Sequence, residues 1–575
     1  MAGGLLNLIA IGNQNIILNG NPSKSFFKST YAKYTNFGLQ KYRVDQTGQQ
    51  SLNKNIETIY SFKIPRYAEL LMDTYLVLTL PNIYSPVFKY NHPDNPGTLE
   101  YRPYEFQWIK NLGTQIIKQV VITIGGVEIQ KFSGHYLQNM IERDYDYNKK
   151  QIFDMMTGNI SELNDPANYA NRNNKYPNAF KINDGSNNSI EPSIHSHRLY
   201  IPIHGWYSFL NSTALPLICL QYAELKFTVY LRPIQELFTI KDVIYDMSLN
   251  EHNVTNYNDI PRIKPTQTED KYAYYRFINE PPFRDISSST IYPNNNEIIN
   301  YDIHMITTQC FLDTAERTYF AKNTQEYLIK TVHEYNNEKI SKSSKFKLES
   351  NGLVSNWMWF FQRNDVSKRN EWTNYTNWAY ENVIPNNLKK LTDPINSSTE
   401  VYYPLNNVYE TTINDISNVI YITGYVPESN EDANHKEILK DFGIYCDGKY
   451  REESHNAGIY NKIEKYTKTH GNYKDGLYHY SFSLNNDITK YQPNGAFNTN
   501  KFKTIEFEYN LVSNPPFDPS NVDFRTICDP ETGEIIATSK EPTSIYKYNY
   551  DLHIMEERYN VLKFQSGLAE LMYGN

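Results

Sequence analysis

The sequence predicts an all-β chain folded as two successive β-sandwiches with few, short helices, and three observations support this. The chain has 575 residues, whereas a single hydrophobic core stops growing at about 250–300 residues. Its 50 Tyr and 27 Phe favour strands, while abundant Asn favours turns and Ala, the strong helix former, is scarce. A strand-dense pattern occurs twice, before about residue 240 and again from about residue 300.

Short apolar runs bounded by Pro, Gly and Asn predict the individual strands. The clearest signal runs from Val121 to Ile129, where Gly125-Gly126 can supply the positive φ angles of a tight hairpin turn. From Ile505 to Tyr509 apolar and acidic residues alternate, which predicts a sheet with one buried and one wet face. A short helix is predicted over 135–143. The predicted strands are 75–80, 116–124, 199–203, 217–222, 225–231, 303–307, 357–362, 419–426, 478–484, 503–509, 545–554 and 561–564.

Four long polar stretches separate these strands. They cover 145–197, 250–300, 363–418 and 427–476, and they are rich in Asn, Tyr, Ser and Lys. Because connections in compact domains have a median length of about 4–6 residues, we interpret these stretches as functional insertions on a rigid β scaffold.

Charge and cysteine usage narrow the function classes. The chain has 56 Lys and Arg against 64 Asp and Glu, a net charge of -8, and no dense basic block, which argues against direct nucleic-acid binding. Its four cysteines are far apart and show no C-x-x-C spacing, so neither a disulfide framework nor a zinc site is expected, and a reducing compartment fits best. No basic residue precedes Lys24 and no 18 apolar residues run together, so neither a secretory signal nor a spanning helix is expected.

The sequence contains no motif with a catalytic mechanism behind it. The phosphate-binding, dinucleotide-binding, nucleophile-elbow and H-E-x-x-H patterns are all missing from it. His195, His197 and His204 could begin a metal site, but no nearby carboxylate or Cys completes one, and we interpret them as partly exposed histidines. The adjacent pairs Glu452-Glu453 and Glu556-Glu557 carry no spacing information for acid and base catalysis, and we interpret them as solvated surface. We therefore expect no enzyme, no cofactor and no metal.

Aromatic residues offer a platform on which sugars could stack. Trp357 and Trp359 alternate along a predicted strand and are expected in the core, which leaves Trp372 and Trp378 as candidate surface or interface anchors. Six N-x-[ST] sequences are candidate glycosylation sites, although an Asn-rich chain produces several by chance. Their acceptors are Asn159, Asn187, Asn211, Asn253, Asn374 and Asn396.

Blocks that span residues 3 to 567 carry a family resemblance. The first half contains GGLLNLIA (3–10), QN (14–15), NPSKSFFK (21–28), YTNF (34–37), IGG (124–126), SGH (133–135), IPI (201–203), ALPLI (214–218) and LQY (220–222). The second half contains FLDT (311–314), ER (316–317), EYLI (326–329), WFFQ (359–362), YHYSFSL (478–484), QPNG (492–495), YNVL (559–562) and SG (566–567). In this order the blocks resemble the major capsid protein of the nucleocytoplasmic large DNA viruses, particularly the mimivirus-like giant viruses. The chain departs from the family pattern at Ser355-Asn356, where a basic and an acidic residue are usual, and before Tyr478, where only His470-Gly471 remains of a His-rich turn.

The resemblance implies two tandem eight-stranded jelly rolls and a structural role in a virion, made in the cytoplasm of the infected cell. It implies a homotrimer that forms a pseudo-hexameric capsomer, and capsomers that tile an icosahedral shell. We place an N-terminal arm at 1–28, the first roll at 29–245 and the second roll, with large surface loops and the C-terminal strands, at 246–575. The implied partners are neighbouring capsomers, minor capsid and penton proteins, and surface fibrils or glycans. Nucleic acid is not expected to be a direct partner, and an inner membrane only an indirect one.

The first residues of the chain suggest how neighbouring capsomers could be joined in such a shell. They lack a jelly-roll pattern but carry apolar side chains, among them Leu5, Leu6, Phe26 and Phe27, so we expect this arm to dock beneath adjacent capsomers or on minor capsid proteins. Two alternatives are a minor virion component, such as a penton or spike, and a carbohydrate-binding β-sandwich protein. A penton needs only one jelly roll per wedge, and a glycosidase needs two carboxylates about 5–10 Å apart.

Overall fold

The structure is a computed structural model in which sixteen strands build two sandwiches. It describes residues 2–48, 51–91, 99–177, 179, 190–241, 262–263, 272–282, 291–341, 343–378, 380–381, 391–392, 399–402, 408–413, 418–423, 436–488, 490, 492–512, 526–528, 535–538 and 548–574.

The first sandwich contains eight long strands. They are β1 (Phe37–Asp45), β2 (Thr58–Lys63), β3 (Leu70–Thr79), β4 (Ile117–Ile124), β5 (Val127–Ser133), β6 (Arg198–Pro202), β7 (Leu225–Leu231) and β8 (His304–Leu312). One sheet has the order β1-β8-β3-β6 and the other β2-β7-β4-β5, with every pair antiparallel.

The second sandwich repeats this arrangement with the next eight. They are β9 (Gln325–Ile340), β10 (Ser344–Lys347), β11 (Leu353–Arg363), β12 (Leu439–Cys446), β13 (Lys449–Asn456), β14 (Leu477–Ser481), β15 (Ile505–Leu511) and β16 (Tyr550–Gln565). Its sheets have the orders β9-β16-β11-β14 and β10-β15-β12-β13.

In both sandwiches the first, eighth, third and sixth strands form one sheet and the second, seventh, fourth and fifth form the other. This is the strand order of two interlocked Greek keys, a jelly roll, so the prediction of two tandem eight-stranded jelly rolls is confirmed. The domain boundaries remain a proposal, but β8 supplies the eighth strand of the first roll. We therefore propose that the first roll extends to residue 312 rather than ending at 245.

The remaining elements are short and lie mostly in the connections. The longer helices are α1 (Gly3–Ile9), α2 (Gly134–Asp144), α3 (Tyr147–Thr157) and α4 (Thr314–Lys322); shorter helices cover Ile16–Asn19, Leu112–Gln115, Ser161–Asn164, Tyr275–Ile278 and Glu464–Lys468, the last continuing a π-helical turn at Ile459–Ile463. Further strands cover Val87–Asn91, Leu99–Pro103, Glu105–Trp108, Leu215–Pro216, Phe238–Lys241, Arg262–Ile263, Leu391–Thr392, Thr399–Tyr402, Val408–Ile413, Asn418–Thr423, Phe497–Asn498, Thr526–Cys528, Ile535–Thr538 and Leu568–Leu571.

Each roll has an aromatic-rich core between its two sheets. In the first roll, Phe62 and Phe227 lie in this buried cluster with Leu76 of the opposite sheet. In the second, Trp357 and Trp359 are buried as predicted, and the Trp359 ring stacks on Phe442 at 4.2 Å between centroids.

Most predicted strands overlap observed ones, and the differences are informative. The Gly125-Gly126 hairpin is confirmed, since both residues have positive φ angles of 58° and 85°, and the helix predicted over 135–143 is α2. The strand predicted over 217–222 is wrong, because Leu217–Cys219 is a 3-10 turn. The predicted strands 545–554 and 561–564 belong to one strand, β16, and 545–547 lie outside the described residues. The predicted strand 419–426 corresponds to Asn418–Thr423, and 424–426 likewise lie outside them.

Candidate functional site

The sheet β9-β16-β11-β14 is the wall that the two rolls share. Side chains alternate along β11, and Trp357 and Trp359 point into the second core. The intervening Met358 and Phe360 join the buried cluster of the first roll. Because both faces are covered, β11 is buried from Val354 to Arg363, and the sheet faces a core on one side and the neighbouring roll on the other.

Helix α2 is one element of the first roll that covers this wall. It begins after Ser133, whose side chain caps the helix by accepting a hydrogen bond from the Tyr136 backbone N–H. One face of α2 meets the sheet: the His135 ring lies 5.6 Å from Phe360, and the Asn139 amide lies 3.9 Å from the Met555 sulfur.

A buried ionic network closes the contact between α2 and the wall. Arg143 Nη2 donates to Glu557 Oε1 at 2.8 Å and Nη1 donates to Asn356 Oδ1 at 2.9 Å. The same guanidinium binds both carboxylate oxygens of Asp144, at 2.7 and 2.6 Å. Asn356 Nδ2 donates to Glu557 Oε2 at 2.7 Å, and the Tyr136 hydroxyl donates to Glu557 Oε1 at 3.0 Å. Arg143, Asn356, Glu557 and Asp144 all have hydrogen-bond partners within this contact, and a fully paired polar network of this kind favours one angle between the rolls.

The electrostatics of this network keep Glu557 charged and a neighbouring histidine neutral. Burial alone would raise the pKa of Glu557, but the charges of Arg143 and Lys330 outweigh it and lower the pKa to about 2. Buried His479, in β14, has its pKa lowered by desolvation and by the nearby Arg143 charge. Glu557 is therefore a carboxylate and His479 a neutral ring at neutral pH.

A second junction joins the rolls through the segment after β11. The Trp372 indole N–H donates to the Glu236 carbonyl at 2.9 Å, and the Arg232 guanidinium lies 4.0 Å from the Trp372 ring centroid. Asn370 Nδ2 donates to the Phe238 carbonyl at 2.9 Å.

A third contact between the rolls is made by Gly471. Its backbone N–H donates to the Arg143 carbonyl at 2.8 Å. A Cβ at this position would lie 2.2 Å from the same oxygen.

The N-terminal arm contrasts with these tight contacts. Residues 2–36 are exposed except for half-buried Asn15, and helix α1 buries none of its residues. Leu5 and Leu6 are about half exposed, and Phe26 and Phe27 are 88% and 100% exposed. Beyond the arm, between residue 28 and β1, Thr35 Oγ1 donates to Glu316 Oε1 at 2.8 Å. So much uncovered apolar surface in one segment is typical of a docking element.

The candidate glycosylation sites differ in access. Asn211 is exposed, whereas Asn159 is half-buried and its side-chain oxygen accepts from the Asn111 backbone N–H at 3.1 Å. Asn374 is 1% exposed and its amide donates to the Trp378 carbonyl at 2.8 Å, so a glycan cannot be accommodated there in the folded chain. Asn187, Asn253 and Asn396 lie outside the described residues.

Several interpretations from the sequence need correction. Glu556 and Glu557 are not solvated surface: they are 0% and 3% exposed. Trp378 is buried rather than a surface anchor, and Trp372 is half-buried and anchors the junction between the rolls. The sugar platform is therefore not formed by these rings.

The three histidines considered as metal ligands, His195, His197 and His204, lie in different environments. Half-buried His204 shares a hydrogen bond of 2.9 Å between its Nε2 and the Tyr145 hydroxyl, and desolvation lowers its pKa to about 3. His197 lies 3.6 Å from Glu162, and His195 is exposed. Across the described ranges, no cluster of three His, Cys, Asp or Glu side chains could hold a metal ion. Among the helices in those ranges, none has both the length and the apolar character needed to cross a bilayer.

Sequence reasoning missed the network residues Arg143, Asn356 and Glu557. A signal was present, because Glu556-Glu557 directly follow the apolar residues Ile554-Met555 in a strand-like run. Charged residues in the middle of a buried strand are rarely solvated and are usually paired.

Comparisons with known proteins agree with this architecture. One family model, described as the major capsid protein N-terminus, matches residues 25–279, and another, described as the large eukaryotic DNA virus major capsid protein, matches residues 316–570. The gap between the two matches falls around β8, where the first roll ends.

Individual relatives are also major capsid proteins. The chain is 28% identical over 389 residues to a major capsid protein of Chrysochromulina ericina virus, covering 63% of this chain and 58% of that relative. The chain therefore spans less than two thirds of that relative's length. It is 25% identical over 580 residues to the major capsid protein of Paramecium bursaria Chlorella virus 1, covering all of both chains. The Faustovirus major capsid protein has a similar fold, with a TM-score of 0.59, 10% identity, and coverage of 94% of this chain and 93% of that one.

Proposed function

This chain belongs to the major capsid protein family of large eukaryotic DNA viruses, and on that premise we propose that it is the structural subunit of an icosahedral virion shell. Three copies form a homotrimeric, pseudo-hexameric capsomer, and capsomers tile the shell. The role is assembly rather than catalysis, and the protein is made in the cytoplasm of the infected cell and resides in the virion.

The observation that carries the proposal is the rigid pairing of two complete jelly rolls. A buried network whose members all have partners holds them at one angle, so each chain contributes two wedges of fixed geometry. Repeated wedges that meet head to tail close into rings when the rotation allows it. Three chains then supply six rolls.

Exposed sheet edges support the same proposal. The edge strand β1 is exposed along most of its length, and so is the edge strand β13. Unpaired edges invite aggregation unless they are covered, and neighbouring copies in a capsomer would cover them. Obligate interfaces of this kind usually bury about 2,000–5,000 Å².

The arm is the proposed contact between capsomers, or with minor capsid and penton proteins. The long connections of both rolls would form the outer surface, where fibrils, glycans or host surfaces bind. With a net charge of -8, direct contact with nucleic acid is not proposed, and any inner membrane would be contacted only through other proteins.

The mass of the purified protein in solution tests the proposed assembly. We expect a particle of three times the 67.4 kDa chain mass, measured by light scattering after size-exclusion chromatography. A stable monomer at micromolar concentration would contradict it. Abundance in purified particles separates a shell protein from a penton or spike, because a shell protein must be among the most abundant virion proteins.

Deleting residues 1–25 is expected to leave trimers intact and to prevent shell formation. A full-length variant replaces Leu5 and Leu6, which the deletion removes, with Ser. It should act like the deletion, because each buried side chain of this size contributes about 1.5–3 kcal/mol to docking. Electron microscopy of assembled particles measures the outcome, and normal shells from the Ser variant would show that apolar docking is not what the arm does.

A further inference from the structure

The N-terminal arm contains an Asn-Gly pair, a sequence that can change chemically without an enzyme. Such pairs occur three times in the chain, at 19–20, 351–352 and 494–495. The glycine backbone nitrogen can attack the side-chain carbonyl carbon of the asparagine, because glycine has no side chain to hinder the approach. A C–N bond closes a five-membered ring, and the amide nitrogen leaves as ammonia. Water then opens the ring to aspartate or isoaspartate, so a neutral amide is replaced by a carboxylate.

The pair at 19–20 is held only by local structure. Asn19 is exposed and is the last residue of a four-residue helix, Ile16–Asn19, that buries none of its residues. The Gly20 backbone N–H donates to the Ile16 carbonyl at 3.0 Å, and this bond has to break before the nitrogen can turn toward the Asn19 side chain. Because helices this short are marginal in water, fraying of one turn is enough to reach the attacking geometry.

The other two pairs are held by hydrogen bonds to other segments of the second roll. The Gly352 backbone N–H donates to Asn500 Oδ1 at 2.9 Å, which holds the attacking nitrogen in place. Asn494 Nδ2 donates to the carbonyl oxygen and to Oδ1 of Asn485, at 2.9 and 2.8 Å, which holds the side-chain amide. At both pairs, the reaction requires the folded roll to open locally.

The remaining asparagines of the arm are followed by residues that disfavour the attack. Asn21 precedes Pro22, which has no backbone N–H to lose. Asn7, Asn13 and Asn15 precede Leu, Gln and Ile, whose side chains hinder the approach of the backbone nitrogen. Asn19 is therefore the reactive asparagine of the arm.

A carboxylate at position 19 would lie next to the most exposed apolar run of the arm. Ile16, Ile17 and Leu18 are 70%, 83% and 85% exposed, so they are available for an apolar contact. Docking of this run would take an adjacent charge out of water, which is costly unless the charge finds a partner. A negative charge at the C-terminal end of a helix is also unfavourable with respect to the helix dipole.

We propose that Asn19 is a site of spontaneous deamidation in the free capsomer, and that the new carboxylate prevents the arm from docking. Docking would hold the backbone around Asn19, so the reaction slows once a capsomer is part of a shell. Capsomers that stay outside a shell for too long thereby lose the ability to join one. The effect on docking rests on the proposed function, because it requires the arm to be the contact between capsomers, whereas the chemical step does not.

Peptide mapping by mass spectrometry tests the site in purified full-length protein stored at neutral and at mildly alkaline pH. Asn19 should deamidate at least about tenfold faster than Asn351 and Asn494, because opening those two pairs also breaks tertiary hydrogen bonds. The rate should rise with pH, since the attacking nitrogen must lose its proton. In the control variant Asn19→Gln, position 19 should stay unmodified, because the longer side chain would have to close a six-membered ring. Equal rates at the three pairs, or an unmodified Asn19, would overturn the proposal.

The variant Asn19→Asp tests the effect on docking, again with Asn19→Gln as the matched control. Both variants should form trimers by light scattering, but electron microscopy should show several-fold fewer shells for Asn19→Asp than for the wild type or Asn19→Gln. In purified virions, the modified fraction at Asn19 should be several-fold lower than in free trimers of the same age. Normal shell formation by Asn19→Asp would refute the effect on docking while the mapped modification stands. A monomeric wild type would instead contradict the proposed function.

Discussion

Replacing Arg143 with methionine is expected to lower the free energy of unfolding by about 3–5 kcal/mol. Methionine fills similar space but removes the cation that binds both Glu557 and Asp144, and leaves Glu557 only Lys330 at 4.0 Å. Both carboxylate side chains are almost inaccessible to water. Desolvated charges that lose their partner are among the most destabilising changes a core can suffer. Urea denaturation followed by tryptophan fluorescence measures the loss.

The matched control is Arg317→Met. Arg317 also binds a carboxylate, Glu69, at 2.8 Å, but its side chain is 49% exposed. An exposed ion pair contributes about 0–1 kcal/mol, so this variant should stay close to the wild type. Adding Glu557→Leu to Arg143→Met should recover part of the loss, because it removes one of the two stranded carboxylates. Equal stability of Arg143→Met and Arg317→Met would show that the network does not hold the rolls together.

The network includes the Ser355-Asn356 position, where the sequence departs from the pattern that the resemblance implies. Both residues are fully buried. Asn356 accepts from Arg143 and donates to Glu557, so a neutral amide bridges the two charged groups. The amide serves here because it can donate and accept at once.

The sequence predicted the core strands well because their apolar runs report burial directly. β4 and β7 were found nearly to the residue and the centre of β11 was found, since each fills a core with alternating or continuous apolar side chains. Edge strands such as β1 and β13 were missed, because most of their residues are exposed and their sequences have no apolar period. β12 and β13 both fell inside the stretch interpreted as an insertion, 427–476, although β12 is a mostly buried inner strand.

The junction between the rolls could not be predicted in the same way. Its residues come from segments more than 100 positions apart, and the Arg143 and Glu557 pair is separated by 414 positions. Pairing between distant charges leaves no local pattern in one sequence, because only the fold decides which carboxylate meets which cation. The arm could be recognised, since its apolar residues stand outside any strand pattern.

Truncating Trp359 to alanine is expected to cost about 3–5 kcal/mol and to affect the second roll more than the first. The ring lies between Phe442 and Tyr478, with centroids at 4.2 and 5.9 Å, and also contacts Phe507. Its loss leaves a cavity that links both sheets of the second core. Hydrogen exchange should show faster exchange in β11, β12 and β15, with β4 and β7 nearly unchanged. Equal loss of protection in both rolls would show that the two cores unfold as one.

Replacing Trp357 or Trp359 with phenylalanine separates the contribution of packing to stability from the contribution of hydrogen bonding. The Trp357 indole N–H donates to Glu556 Oε2 at 2.6 Å, whereas the Trp359 indole N–H has no acceptor among the described residues. Trp357→Phe removes the donor from a buried carboxylate, which adds about 1–3 kcal/mol to the packing loss. Trp359→Phe removes a buried donor that has no partner. The free energy lost with the ring volume is therefore partly offset, because the cost of burying that unpaired N–H is also removed. Trp357→Phe should therefore be the less stable of the two, and the reverse order would mean that the Glu556 bond contributes little to the fold.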